Sequence, residues 1–214
     1  MTATRAGTRV APATVVAAAA LVGCTLAPMQ RETPAQYDLG PLPVYERAKP
    51  SLSRVLLVPD VSAPSLLEGQ GIVYRLAYDE PTRVRTYAQS RWKAPAAVLV
   101  SQRLRGRFAA ATQRGVVTSD DGARAEYMLR VDLEQFGQVF TAPGVSHVSV
   151  RVRASLVNLE VHRLTAQRVF SIERPAPSPD AQGAVSALSA ASDELIERLV
   201  EWTSEQLGTA VARR

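Results

Sequence analysis

Cysteine is nearly missing from this chain: among 214 residues only Cys24 carries a thiol, so no internal disulfide can staple the fold. Lysine is almost as scarce, Lys49 and Lys93 being the only two, and the formal charge of +5 is therefore an arginine charge. Spread along the sequence, it reads as composition of the source more than as a phosphate-binding stripe, and no nucleic-acid partner is expected. Histidine is limited to His147 and His162, fifteen residues apart with no second histidine four residues on, which gives a zinc site little support. No serine sits in a G-x-S-x-G elbow. Gly69-Gln70-Gly71 precedes an expected strand instead of joining strand to helix, so it cannot cradle a phosphate. Asp120-Asp121-Gly122 reads as a turn. These gaps point away from an enzyme and away from a bound cofactor. No apolar run reaches the ~20 residues that span a bilayer as a helix.

What is present begins at the N-terminus. Residues 1–23 carry Arg5 and Arg9, no acid, and a short apolar stretch from Val10 to Val22, the architecture of an export signal. Leu21-Val22-Gly23-Cys24 resembles the bacterial lipobox, in which a small residue precedes a cysteine that becomes the acylated N-terminus of the mature protein. Two or three acyl chains, at about 0.8 kcal/mol per buried CH₂, anchor stably where one chain does not. Removing residues 1–23 leaves a net charge of +3. The residue after the cysteine is Thr25 and not aspartate, which by that resemblance sorts the protein to the outer membrane, facing the periplasm.

Residues 24–50, with Pro28, Pro34, Pro41, Pro43 and Pro50, read as the lipidated end of an extended tether, although Gln36–Gly40 could add a short edge strand. Residues 51–214 read as one domain, and 46% hydrophobic with 21% charged residues is globular composition. A buried strand is expected over 53–61 and a hairpin from a strand over Ile72–Tyr78, a turn at Asp79-Glu80-Pro81 and a second strand through Tyr87. After Pro95, the spacing of Ala97, Val100, Leu104, Phe108 and Ala111 predicts an amphipathic helix interrupted only by Gly106. Its Arg103, Arg105 and Arg107, with Arg114 beyond, are either a basic face for lipid headgroups or a solvated polar face. Tyr127, Leu129, Val131 and Leu133 alternate with polar residues, as in a half-buried strand. In 146–163 the apolar parity switches from Val148, Val150, Val152 and Leu156 to Val157, Leu159 and Val161, predicting a bulge near Leu156 or a segment buried on both sides. A last strand over 166–175 pairs back across a turn near Arg163-Leu164-Thr165, and Val185, Leu188, Leu195, Leu199 and Trp202 predict a long final helix. The fold class is α/β: a mixed, mostly antiparallel sheet with two helices packed on one face.

The most distinctive stretch is residues 71–104. Tyr37-Asp38-Leu39, Val61-Ser62-Ala63-Pro64-Ser65-Leu66, Ile72-Val73-Tyr74-Arg75 and the run from Tyr87 through Ser90-Arg91-Trp92 to Pro95 resemble the motifs of the ABC-type transport auxiliary lipoprotein family, which includes PqiC-type outer-membrane lipoproteins. Ala96 stands where that family often has a second proline. The resemblance implies a non-enzymatic, lipid-anchored outer-membrane component of phospholipid transport between membranes. Its implied partners are a mammalian-cell-entry-domain (MCE) protein and the associated ABC permease and ATPase, and a homo-oligomer is compatible with it. The alternative is a structural envelope lipoprotein that scaffolds another assembly or binds peptidoglycan. Cys24 carries the lipid attachment role; Tyr74, Arg75, Tyr87, Arg91 and Trp92 match the motif either as a partner surface or as packing at a sheet-helix corner.

Overall fold

The computed structural model describes residue 2 and residues 33–43, 52, 54–112 and 114–212. Cys24, the export signal and the stretch 44–50 lie outside the described residues. Eight strands and two helices follow in chain order: β1 Ala35–Tyr37, β2 Leu56–Leu57, β3 Gly71–Leu76, β4 Val84–Trp92, α1 Ala96–Ala111, β5 Val116–Val117, β6 Tyr127–Ala142, β7 Val145–Asn158, β8 Arg163–Pro175 and α2 Ala181–Ala212. They form one mixed sheet. Its long pairings, β6 with β7, β7 with β8 and β3 with β4, are antiparallel; β1 with β4, β2 with β5 and with β6, and β3 with β6 are parallel. The α/β architecture with both helices on one face is the one the sequence predicts.

That face is fixed by alternation. On β7 the even residues Val148, Val150, Val152, Ala154 and Leu156 are buried, and β6 sets Leu129, Val131, Leu133 and Phe136 opposite them. Leu104 and Phe108 of α1 and Leu188, Leu195, Leu199 and Trp202 of α2 join the same core cluster, Trp202 meeting Phe170 of β8 edge-on at 5.7 Å. Each such side chain, taken from water, contributes about 1.5–3 kcal/mol. Pro95 caps α1, where its missing N–H costs nothing. At Gly106 a Cβ would stand 3.3 Å from the Leu42 side chain, so the glycine leaves room for Leu42 to lie close to α1.

Four expectations are corrected. The strand expected over 53–61 is only Leu56–Leu57, although Val58 and Val61 are buried beside it. The β7–β8 turn spans 159–162, with His162 at φ 51°, and not Arg163-Leu164-Thr165, which lie in β8. The register does shift after Leu156, but the extra residue is Thr165 on β8; Val157 is half-buried and Val161 57% exposed, so this end of β7 does not turn to the core. The tether is shorter than 24–50: the short edge strand allowed for at Gln36–Gly40 is present as β1, paired with β4, Leu39 is buried, and residues 35–41 belong to the folded unit that starts at Thr33.

The arginines of α1 form neither a headgroup face nor a solvated one. Arg103 is 4% exposed and reaches α2, where its Nε and Nη2 donate to the two carboxylate oxygens of Asp193. Its Nη1 donates to the carbonyl of Leu39 at 2.7 Å, and Ser189 of α2 donates to that same carbonyl. Arg107 makes a bidentate pair with Glu197, at 2.5 and 2.8 Å, and Arg105 pairs with Asp60. The planar guanidinium fork suits such two-point contacts.

Candidate functional site

The five motif residues sit on adjacent strands but divide between the two faces of the sheet. The cause is a wide bulge in β4: Val73 pairs with Thr86 and Gly71 with Arg91, so one residue of β3, Ile72, opposes four of β4, residues 87–90. The three extra residues reverse the strand's facing. Tyr87 and Trp92, of opposite parity, therefore both meet the core, and Arg91 beside Trp92 turns away from it.

On the helix-covered face, Tyr74 and Tyr87 stack at 4.7 Å and Phe140 meets Tyr74 edge-on at 5.9 Å. Tyr87 donates its hydroxyl to Gln138 at 2.6 Å, and Gln138, 1% exposed, donates onward to Ser146 at 2.7 Å. Burial, with the nearby Asp180 carboxylate and Tyr74 adding to it, pushes the Tyr87 phenol up to about 12. Asp180 is held below the usual carboxylate range by the Gly183 backbone N–H and by Ser178, as befits the residue preceding α2. Trp92 is 1% exposed, 5.7 Å from Phe136. Trp92 and Tyr87 thus belong to or pack against the core cluster, with Tyr74 resting on Tyr87.

On the other face, β6 is bulged at Glu134, between the pairs Leu133–Val152 and Gln135–Arg151. Along its β2–β3 edge the ladder runs from the Ser62–Asp132 bridge to the Tyr74–Gln138 pair with no paired residue between. At the gap lies a slot of about 280 Å³ lined by Leu66, Leu67, Val73, Arg75, Phe136 and His147 among others. Arg75 donates to the Pro81 carbonyl at 2.5 Å. Arg91 has a buried Nε with no hydrogen-bond partner. Gly137 in the slot allows close approach of β3, since a Cβ there would stand 2.9 Å from the Val73 carbonyl oxygen. No sequence signal marks this slot; it arises from a bulge and a pairing gap, which single-strand periodicity does not encode. Among the described residues, no three His, Cys, Asp or Glu side chains stand together as a metal site, and no helix is long and apolar enough to cross a membrane.

Comparison with known proteins places this arrangement. A family model described as the ABC-type transport auxiliary lipoprotein component matches residues 37–200. Among solved structures, protein XCC0632 from Xanthomonas campestris is similar at TM-score 0.68 and 22% identity, over 86% of this chain and 98% of its own. An uncharacterized protein is similar at TM-score 0.61 and 18% identity, over 80% of this chain and 99% of its own. At these identities the two structures establish the fold. No curated protein matches the sequence.

Proposed function

This chain belongs to the ABC-type transport auxiliary lipoprotein family, and on that premise we propose that it is a non-enzymatic, lipid-anchored accessory of phospholipid transport between the inner and outer membranes. Acylated at Cys24 and sorted by Thr25, it stands on the periplasmic face of the outer membrane. It works with an MCE-domain protein, whose ABC permease and ATPase supply the energy. The observation that carries this reading is the coincidence of the Leu21–Cys24 lipobox with a family match over 37–200.

Two measurements test it. Cys24→Ser leaves the domain folded and moves it from the membrane fraction to the soluble periplasm; unchanged fractionation refutes lipidation. In-cell crosslinking followed by purification of the lipidated chain recovers the MCE protein. Recovery on isolated cell wall, with no MCE protein crosslinked, overturns the transport role in favour of a structural envelope lipoprotein.

A further inference from the structure

We infer that the end of the sheet formed by the β3–β4 and β6–β7 hairpins rests on the surface of the bilayer that holds the lipidated N-terminus, a zwitterionic lipid surface being its partner. The inference rests on the reading of Cys24 as acylated. It adds an orientation: one named end of the domain faces lipid and the other faces the periplasm.

Strand direction gathers three loops at this end. β3 and β6 are parallel, and β8 runs with β6 because both oppose β7, so all three strands finish there. Tyr78 and Val145 stand at one level: Ala77 N donates to the Phe140 carbonyl at 2.9 Å, and Val145 pairs with Ala142 two residues on. Tyr78 is 48% exposed and Val145 58%, and the β6–β7 tip, Ala142-Pro143-Gly144-Val145, carries no charge. The exposed Pro177 follows β8 beside them, Ala176 N being bonded to the Ser146 carbonyl. An exposed tyrosine with an apolar body and a polar tip suits the headgroup level of a membrane. The charges at this end are of both signs: Arg83 and Arg85 both donate to Glu80, at 2.9 and 2.7 Å, Asp79 stands 4.0 Å from Arg85, Arg174 pairs with Glu194, and Glu173 and Asp180 add exposed carboxylates. Such a rim neither demands an anionic surface nor repels a zwitterionic one.

The path of the chain selects this end over the other. β1 is parallel to β4 and so runs opposite to β3; the polypeptide reaches Ala35 from the hairpin side. Ala35 is level with Ser90, and the neighbouring Arg91 is level with Gly71, so Tyr78 stands seven residues of β3 and its tail further up, about 23 Å. Eleven residues lead from Cys24 to Ala35, a reach of at most about 40 Å, which covers that height. The opposite end lies nine residues of β6 beyond Phe136, at Tyr127, about 30 Å away, with the 159–162 turn further still. A reach of about 40 Å would cover that distance as well, so it is the direction of β1, entered from the hairpin side, that favours the hairpin end. Val161 and Leu164 are exposed there too, but among Glu160, His162 and Arg163.

The test uses the full mature lipoprotein in phosphatidylcholine vesicles. An acylated Cys24 has no free thiol, so Tyr78→Cys, Val145→Cys, Val161→Cys and Ala88→Cys, each at an exposed site, can be labelled singly with an environment-sensitive fluorophore and quenched by bilayer-borne doxyl lipid. Probes at 78 and 145 are expected to be quenched several-fold more than the probe at 161, and Val145→Asp to reduce quenching at 78. Quenching strongest at 161 places the other end on the membrane; quenching strongest at 88 lays the β1–β4 edge on it; no difference among the four means a domain held clear of lipid. Each of these overturns the inference. Intact mass of the N-terminus separates the two readings: without acylation both fail, whereas an acylated chain with unquenched probes at 78 and 145 loses the orientation alone.

Discussion

Removing the carboxylate of Asp193 should destabilise the domain more than removing the arginine it holds. Arg103 is 4% exposed and cannot shed its charge, whereas the Asp193 side chain is 32% exposed and can be hydrated in its place. Asp193→Ala leaves a buried guanidinium with only neutral acceptors, the Leu39 carbonyl at 2.7 Å and weaker contacts to Gly40, Pro41 and Ser189 at 3.3–3.4 Å. Breaking a buried pair in this way costs about 3–5 kcal/mol. Arg103→Met removes the buried charge itself, leaves Leu39 O its bond from Ser189, and keeps an aliphatic stem in the core; about 1–3 kcal/mol is expected. In Arg103→Met/Asp193→Leu neither charge remains, and the double variant should be more stable than Asp193→Ala. Urea unfolding followed by far-UV circular dichroism reads the order: with a slope near 2–3 kcal/mol per molar urea, the midpoint of Asp193→Ala falls by about 1.5 M. An Asp193→Ala midpoint equal to that of Arg103→Met, or above it, refutes the reasoning.

Tyr87→Phe removes the donor to Gln138, whose amide is buried, and should cost about 1–2 kcal/mol by the same unfolding assay; a neutral substitution refutes the bond's role. The Tyr87 phenol, raised to about 12 in the folded chain, loses its proton more readily once unfolded. Its contribution to stability is therefore fully present below about pH 10, the ordinary tyrosine value, and is lost as pH rises toward 12. Tyr87→Phe should flatten that alkaline fall, and an unaltered pH profile speaks against it. Gly137→Ala drives a methyl toward the Val73 carbonyl oxygen, 2.9 Å away, and should lower stability by about 1–3 kcal/mol, read as a drop in thermal midpoint; an unchanged midpoint shows that β3 gives way at no cost.

The fold was largely legible because most of the sheet obeys simple alternation. β6 and β7 together span 30 residues of near-regular pairing, and their buried positions follow period two up to the bulge at Glu134. The helices were readable from Leu104 and Phe108, and from Leu188, Leu195 and Leu199, recurring at helical spacing. What misled was local apolarity without partners. Residues 53–61 are apolar enough for a long strand, but only Leu56–Leu57 pair with β5 and β6, the rest packing as irregular chain. Val157, Leu159 and Val161 looked like a second buried row, yet the strand ends at Asn158 and the turn carries Val161 outward.

The motif residues could be picked out in the sequence but their geometry could not, for one identifiable reason, and the slot on β6 was not legible at all. Periodicity gives a strand two faces and assigns each residue to one of them; it cannot register the three extra residues that β4 carries against β3. Without that bulge, Tyr87 and Arg91 would share a face and Trp92 would oppose them; with it, Tyr87 and Trp92 both reach the core and Arg91 is set against Gly71 on the far face. The arginines of α1 were misread for a related reason. Spacing along one helix shows which residues are neighbours on it, but not that Asp193 and Glu197 on α2, four residues apart, meet Arg103 and Arg107, also four apart. Both sets advance one turn at a time, so the two ion pairs form consecutive rungs between the helices, and the lower of them, through the Leu39 carbonyl, also holds the N-terminal segment onto the domain.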